Sequence, residues 1–135
     1  MKIKKIFGNF EKAIKYGEKS YALDSTNSIV LLYLGFNHML LNQFEEFLEY
    51  MKKFERELNN RDIPDGRGHV MIGHAYWVNG FKAEAEYHFK TDLEFHTKML
   101  ELDRHYYSDI NTFYKLATAY SFLGDRNKAY EFLRL

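Results

Sequence analysis

One five-residue pattern recurs along this chain and constrains what it can become. Gly73, Tyr76, Gly80, Ala85 and Phe89 are followed, at identical internal spacing, by Ala117, Tyr120, Gly124, Ala129 and Leu133. Gly35, His38, Asn42, Phe47 and Met51 keep the same spacing with poorer residues, and Gly8, Ala13 and Gly17 supply the last three positions alone. Measured at Ala13, Phe47, Ala85 and Ala129, the units are 34, 38 and 44 residues apart. Periods in this range mark stacked supersecondary units, none of which buries its apolar face by itself. The functional question therefore moves from chemistry to surfaces.

Within each unit the signals are helical. Proline occurs once, at Pro64, and apolar residues recur at helical rather than alternating spacing. The punctuation predicts seven helices. Phe10 to Leu23 follows an Asn9 cap, and the cluster Asp24 to Ser28 closes it and caps Ile29 to Leu41. A turn at Asn42-Gln43 leads to Phe44–Leu58, with Phe44, Phe47, Leu48, Met51, Phe54 and Leu58 on one stripe. After a loop from Asn59 to Gly66, the remaining helices are Gly68–Val78, a long Phe81–Asp103, Asp109–Leu123 and a last one capped by Asp125. Turns of two or three residues between paired helices force antiparallel neighbours. Gly35, Gly73 and Ala117 then mark close approaches, met from the partner helix by Ala13, Ala85 and Ala129. Phe47 breaks that rule, so its repeat is expected to pack more loosely or to shift.

Composition excludes several classes. Lys plus Arg and Asp plus Glu each number 19, so no net positive charge draws the chain to nucleic acid or an anionic membrane. Cysteine is absent, which removes disulfides and thiolate chemistry and fits a cytoplasmic setting. No signal peptide and no apolar run long enough to span a membrane is present. At 135 residues, the chain is expected to form one domain over 1–135.

Leu34-Gly35, Ile72-Gly73 and Leu116-Ala117, with Tyr76 and Tyr120 three residues after the small residue, resemble the signature of the tetratricopeptide repeat family. The stretches GHAYWVNGFKAEAEYHF and LATAYSFLGDRNKAYEFL carry the resemblance most clearly. It covers about three divergent repeats plus a partial one. His38 replaces one tyrosine, Asp92 takes a place usually held by alanine, and the family's proline after the second helix is missing. The resemblance implies an all-α, right-handed α-solenoid of antiparallel helix pairs, with a concave groove lined by the first helix of each pair. Family members mostly bind peptides or partner proteins there and are not enzymes.

On that reading the groove is lined by Ile29, Leu32, Phe36 and Met39, by Arg67, Val70, His74 and Trp77, and by Asn111, Tyr114, Thr118 and Ser121. Trp, Tyr and Met suit recognition. A preceding helix, Phe10 to Leu23, is expected to cover Ile29, Leu32 and Phe36. The Lys, Asn and Arg with which some family members clamp an acidic C-terminal peptide are replaced by Leu32, Phe36, Val70, His74 and Tyr114.

No chemistry-bearing motif stands out. Glu84, His88, Asp92 and His96 lie four apart on one helical face. One straight helix cannot wrap three ligands around an ion, so the expectation is no metal and an ordinary solvated face. His69 falls on the packing stripe and reads as a structural histidine. Tyr106 and Tyr107 sit in the ten-residue insertion and are expected to pack beneath it. No cofactor is expected. The leading functional reading is a scaffold for a protein or peptide partner, bound around Trp77, His74 and Tyr114. The rivals are a homo-oligomeric module stacking through its apolar ends and a small-molecule sensor or regulatory domain. The apolar finish at Phe132, Leu133 and Leu135 is expected of a module within a larger protein or assembly.

Overall fold

The computed structural model describes residues 2–60, 68–102 and 110–133. Among them are seven helices and no strand: α1 (Lys2–Leu23), α2 (Ser28–Leu40), α3 (Phe44–Asn60), α4 (His69–Val78), α5 (Lys82–Glu101), α6 (Ile110–Phe122) and α7 (Arg126–Leu133). The chain divides into two compact units, Met1–Pro64 and Asp65–Leu135. In the first, α1 packs on α2 and α2 on α3; in the second, α4 pairs with α5, α6 with α7, and α6 also packs on α5.

The paired helices turn on one repeated device. Asn42, Gly80 and Gly124 all adopt left-handed backbone, with φ of 58°, 86° and 84°. The next residue in each case, Gln43, Phe81 or Asp125, donates its N–H back to the carbonyl of His38, Tyr76 or Tyr120 at 2.9 Å. This closes the first helix of each pair with a Schellman-type cap, which favours glycine because a Cβ is strained there. Side-chain caps start two of the helices. The Asn27 Oδ1 accepts from the N–H groups of Ile29 and Val30 at 3.1 and 3.3 Å, and the Asp125 Oδ1 accepts from Lys128 N–H at 3.2 Å.

A second repeated device joins the two helices of a pair. Ring stacks link His38 to Tyr50, Tyr76 to His88 and Tyr120 to Phe132, at centroid distances of 5.3, 5.5 and 5.7 Å and interplanar angles of 18°, 9° and 6°. The partner lies at the same sequence spacing each time. His38 thus does the work of the missing tyrosine, and its Nδ1 lies 2.6 Å from Gln43 Oε1. Close approach completes the pair. A Cβ on Gly73 would lie 2.6 Å from the Phe89 ring, and one on Gly35 would collide with the Met51 side chain. Glycine is therefore required where the facing residue is the rigid Phe89 ring, whereas the flexible end of Met51 can give way. Ala117 is tolerated where it is Leu133.

Three expectations change. α1 runs unbroken through Gly8 and Asn9, so Asn9 caps nothing. Ala13 is exposed, and the close contact from α1 is made instead by Gly17, where a Cβ would lie 2.7 Å from Leu34. Phe47 is fully buried, so its repeat is not loosely packed: the ring sits in ordinary contact with the Gly35 position, and the room the glycine leaves is taken by Met51. Complete burial of a side chain of this size contributes about 2–3 kcal/mol.

Candidate functional site

The second unit gathers most of the predicted groove residues, in two sets with different roles. Val70 and Trp77, partly buried, pack against a core of Ala85, Phe89 and Ala119, and Phe122 and Leu123 of the α6 end join them there. The Phe122 ring is the centre of this contact. It stacks on Phe89 at 4.5 Å and 8°, meets Trp77 edge-on at 5.8 Å, and lies 5.3 Å from His74. The Lys82 ammonium lies 5.4 Å from the Trp77 ring centre. Burial holds His74 below the usual imidazole pKa, favouring its neutral form. Val70, His74 and Trp77 are thus seats for α6.

Tyr114, Thr118 and Ser121 form the second set. They line a cavity of about 450 Å³ together with Ala117, Phe122, Arg126, Ala129, Tyr130 and Leu133. Tyr114, Tyr130 and Leu133 are well exposed, the tyrosine at 66%. Thr118 Oγ1 donates to the Tyr114 carbonyl at 2.8 Å. Arg126 is the one charged side chain among the lining residues. The α7 contributors were not among the predicted site residues. The repeat register could have found them, since Leu133 stands 44 residues after Phe89 and Arg126 the same distance after Lys82. Arg67, the side chain of Asn111, and the Tyr106–Tyr107 pair lie outside the described residues.

In the first unit, Phe36 and Ile29 are exposed at 40% and 62%. Leu32 and Met39 are half-buried. Neither Ile29 nor Phe36 is therefore covered by α1, contrary to expectation. Tyr33, exposed at 62%, extends this apolar face and was missed.

The ladder on α5 is the clearest correction. Glu84 is exposed, but His88, Asp92 and His96 are buried, at 3%, 1% and 1% exposure. This is no solvated face. His88 occupies the ring position held by Tyr50 and Phe132 in the other pairs, and its Nδ1 lies 3.0 Å from that of His69. His69 is therefore a packed histidine, stacked on His88 with ring centres 5.3 Å apart. Burial, and then the neighbouring His69, lower the His88 pKa to about 4. His96 donates from Nδ1 to the Asp92 carbonyl at 2.9 Å, and the same nitrogen lies 3.4 Å from the Asp92 carboxylate. That carboxylate accepts no hydrogen bond among the described residues. No three His, Asp or Glu side chains among them converge as a metal would require.

Solved structures that resemble this chain include two described as MamA. One, described as the crystal structure of MamA, superposes with a TM-score of 0.62 at 24% identity, over 96% of this chain and 67% of that one. The other, described as the crystal structure of MamA protein, gives 0.55 at 19% identity, over 98% and 84%. No protein-family profile and no curated protein matches the chain. At such identities the likeness speaks for the fold alone: all-α, of the tetratricopeptide-like helical-solenoid type. No described helix is long and apolar enough to cross a membrane.

Proposed function

We propose that this chain is a non-catalytic scaffold whose second unit holds a protein or peptide partner on the α6–α7 surface. The observation that carries the reading is the cavity of about 450 Å³ rimmed by exposed Tyr114, Tyr130 and Leu133. Exposed aromatic and aliphatic side chains around a concavity, with one arginine among them, have the composition of an interaction hot spot. Val70, His74 and Trp77 support that surface from the core. On the first unit, Phe36 and Met39 with the adjoining Tyr33 offer a contact of their own. The absence of cysteine suits a reducing compartment such as the cytoplasm.

The test is site-specific photocrosslinking in the native cell. A photoreactive residue at position 114 should give a discrete protein adduct, lost when Leu133→Asp is added. The same group at Tyr87, equally exposed on α5 but away from the cavity, should give none. Equal yields from both positions, or none from position 114, would reject the site.

A further inference from the structure

The cavity on α6–α7 has a filled counterpart inside the same unit. Moving back 44 residues converts Tyr114, Thr118, Ser121 and Leu133 into Val70, His74, Trp77 and Phe89. That second set is the seat of Phe122, which reaches it from a helix along with Ala119 and Leu123. The occupant of the filled seat is therefore known in detail. It is a helical face with alanine, an aromatic three residues on, and an aliphatic residue after that.

The open seat differs from the filled one in two ways. Trp77 and Phe89 are replaced by the smaller Ser121 and Leu133, so it admits a ring at least as large as phenylalanine. Arg126 lines it without any carboxylate among the lining residues. A guanidinium at such a rim favours a carboxylate on whatever docks.

We infer that the partner of this surface is an α-helix from another protein, presenting an aromatic knob with a carboxylate one turn away; this rests on the recognition surface proposed above. A second copy of the chain fits poorly. In its two segments of the required spacing, Ala119-Phe122-Leu123 and Ala129-Phe132-Leu133, the alanine is already buried in the chain's own packing. Phe132 stacks on Tyr120.

A hydrocarbon-stapled, fluorescein-labelled peptide spanning residues 110–123 and carrying T118E, which sets a carboxylate one turn before Phe122, serves as the probe. Fluorescence anisotropy against the full chain should report saturable binding. Phe122→Ala in the peptide, or Leu133→Asp in the chain, should weaken it at least about tenfold. Arg126→Ala in the chain should weaken the T118E peptide and spare the unmodified one. Leu133 and Arg126 are exposed, and circular dichroism verifies that both variants stay folded. Absence of binding, or binding indifferent to Leu133→Asp, overturns the inference. So does self-association in sedimentation velocity that Leu133→Asp abolishes, which would make a second copy the occupant. If an unstapled, proline-interrupted peptide of the same composition binds as well and is equally sensitive to Leu133→Asp, the helical occupant falls while the recognition surface stands.

Discussion

Trp77 and Tyr114 both lie on the first helix of a pair but play opposite parts. Trp77 is wedged against Phe89 and Phe122, at 6.4 and 5.8 Å between ring centres, whereas Tyr114 is exposed. Trp77→Ala should cost about 3 kcal/mol, near the lower end for a large aromatic because the ring is only partly buried. Tyr114→Ala should change stability by less than about 0.5 kcal/mol. Urea denaturation of the two variants checks the contrast, and equal costs would refute the division between support and contact. His88 supplies a pH prediction. Its pKa is lowered on folding, so the unfolded chain takes up the proton first as pH falls. Stability from this group is complete above about pH 6.5 and is lost as pH drops through the window down to about 4. The loss should approach ~3 kcal/mol. His88→Phe, which copies Phe132, should flatten the slope across that window. An unchanged slope would mean that other groups set the acid sensitivity.

At the scale of the element, α5 holds the most unusual chemistry. Asp92 stands in register with Phe54 of α3, yet buries a carboxylate that accepts no hydrogen bond among the described residues. Burying a polar group that accepts no hydrogen bond costs about 1–3 kcal/mol relative to an apolar side chain. His96 keeps its bond to the Asp92 carbonyl whatever the side chain. Asp92→Leu should therefore raise the thermal midpoint, and a lowered midpoint in calorimetry would show that the carboxylate has a structural partner. The same helix shows where sequence reading runs short. The pairs and their turns were legible, because Asn42, Gly80 and Gly124 announce themselves by spacing and by residue type. The burial of His88, Asp92 and His96 was not, since polar residues four apart look like a wet stripe when a helix is read alone. Only the ring register, with His88 aligned to Tyr50 and Phe132, reveals that this stripe faces inward. The start of α1 was missed for a different reason: Gly8 and Asn9 are weak helix formers, but weak propensity does not oblige a helix to break. On the candidate site, Tyr114, Thr118 and Ser121 were visible from helical geometry. Arg126, Tyr130 and Leu133 were not, because attention to first helices leaves out the partner wall.

Across the molecule, each unit is built around buried side chains of its own. Leu31, Leu34, Phe47 and Met51 serve the first, and Ile72, Ala85, Phe89 and Leu116 the second. In repeat proteins stability is close to a sum of unit and neighbour terms. The segment 65–135 expressed alone should thus retain a helical circular-dichroism spectrum and melt cooperatively. A featureless melt would show that the second unit depends on the first. The place of Trp77 in the second unit has one more consequence. It is the sole tryptophan among 135 residues, whereas tyrosines occur in both units. Red-edge excitation of its indole therefore illuminates the second unit and leaves the first dark. Far-ultraviolet dichroism sees every helix at once. A gap between the two signals during unfolding would reveal which half of the molecule lets go first, without a single label being attached.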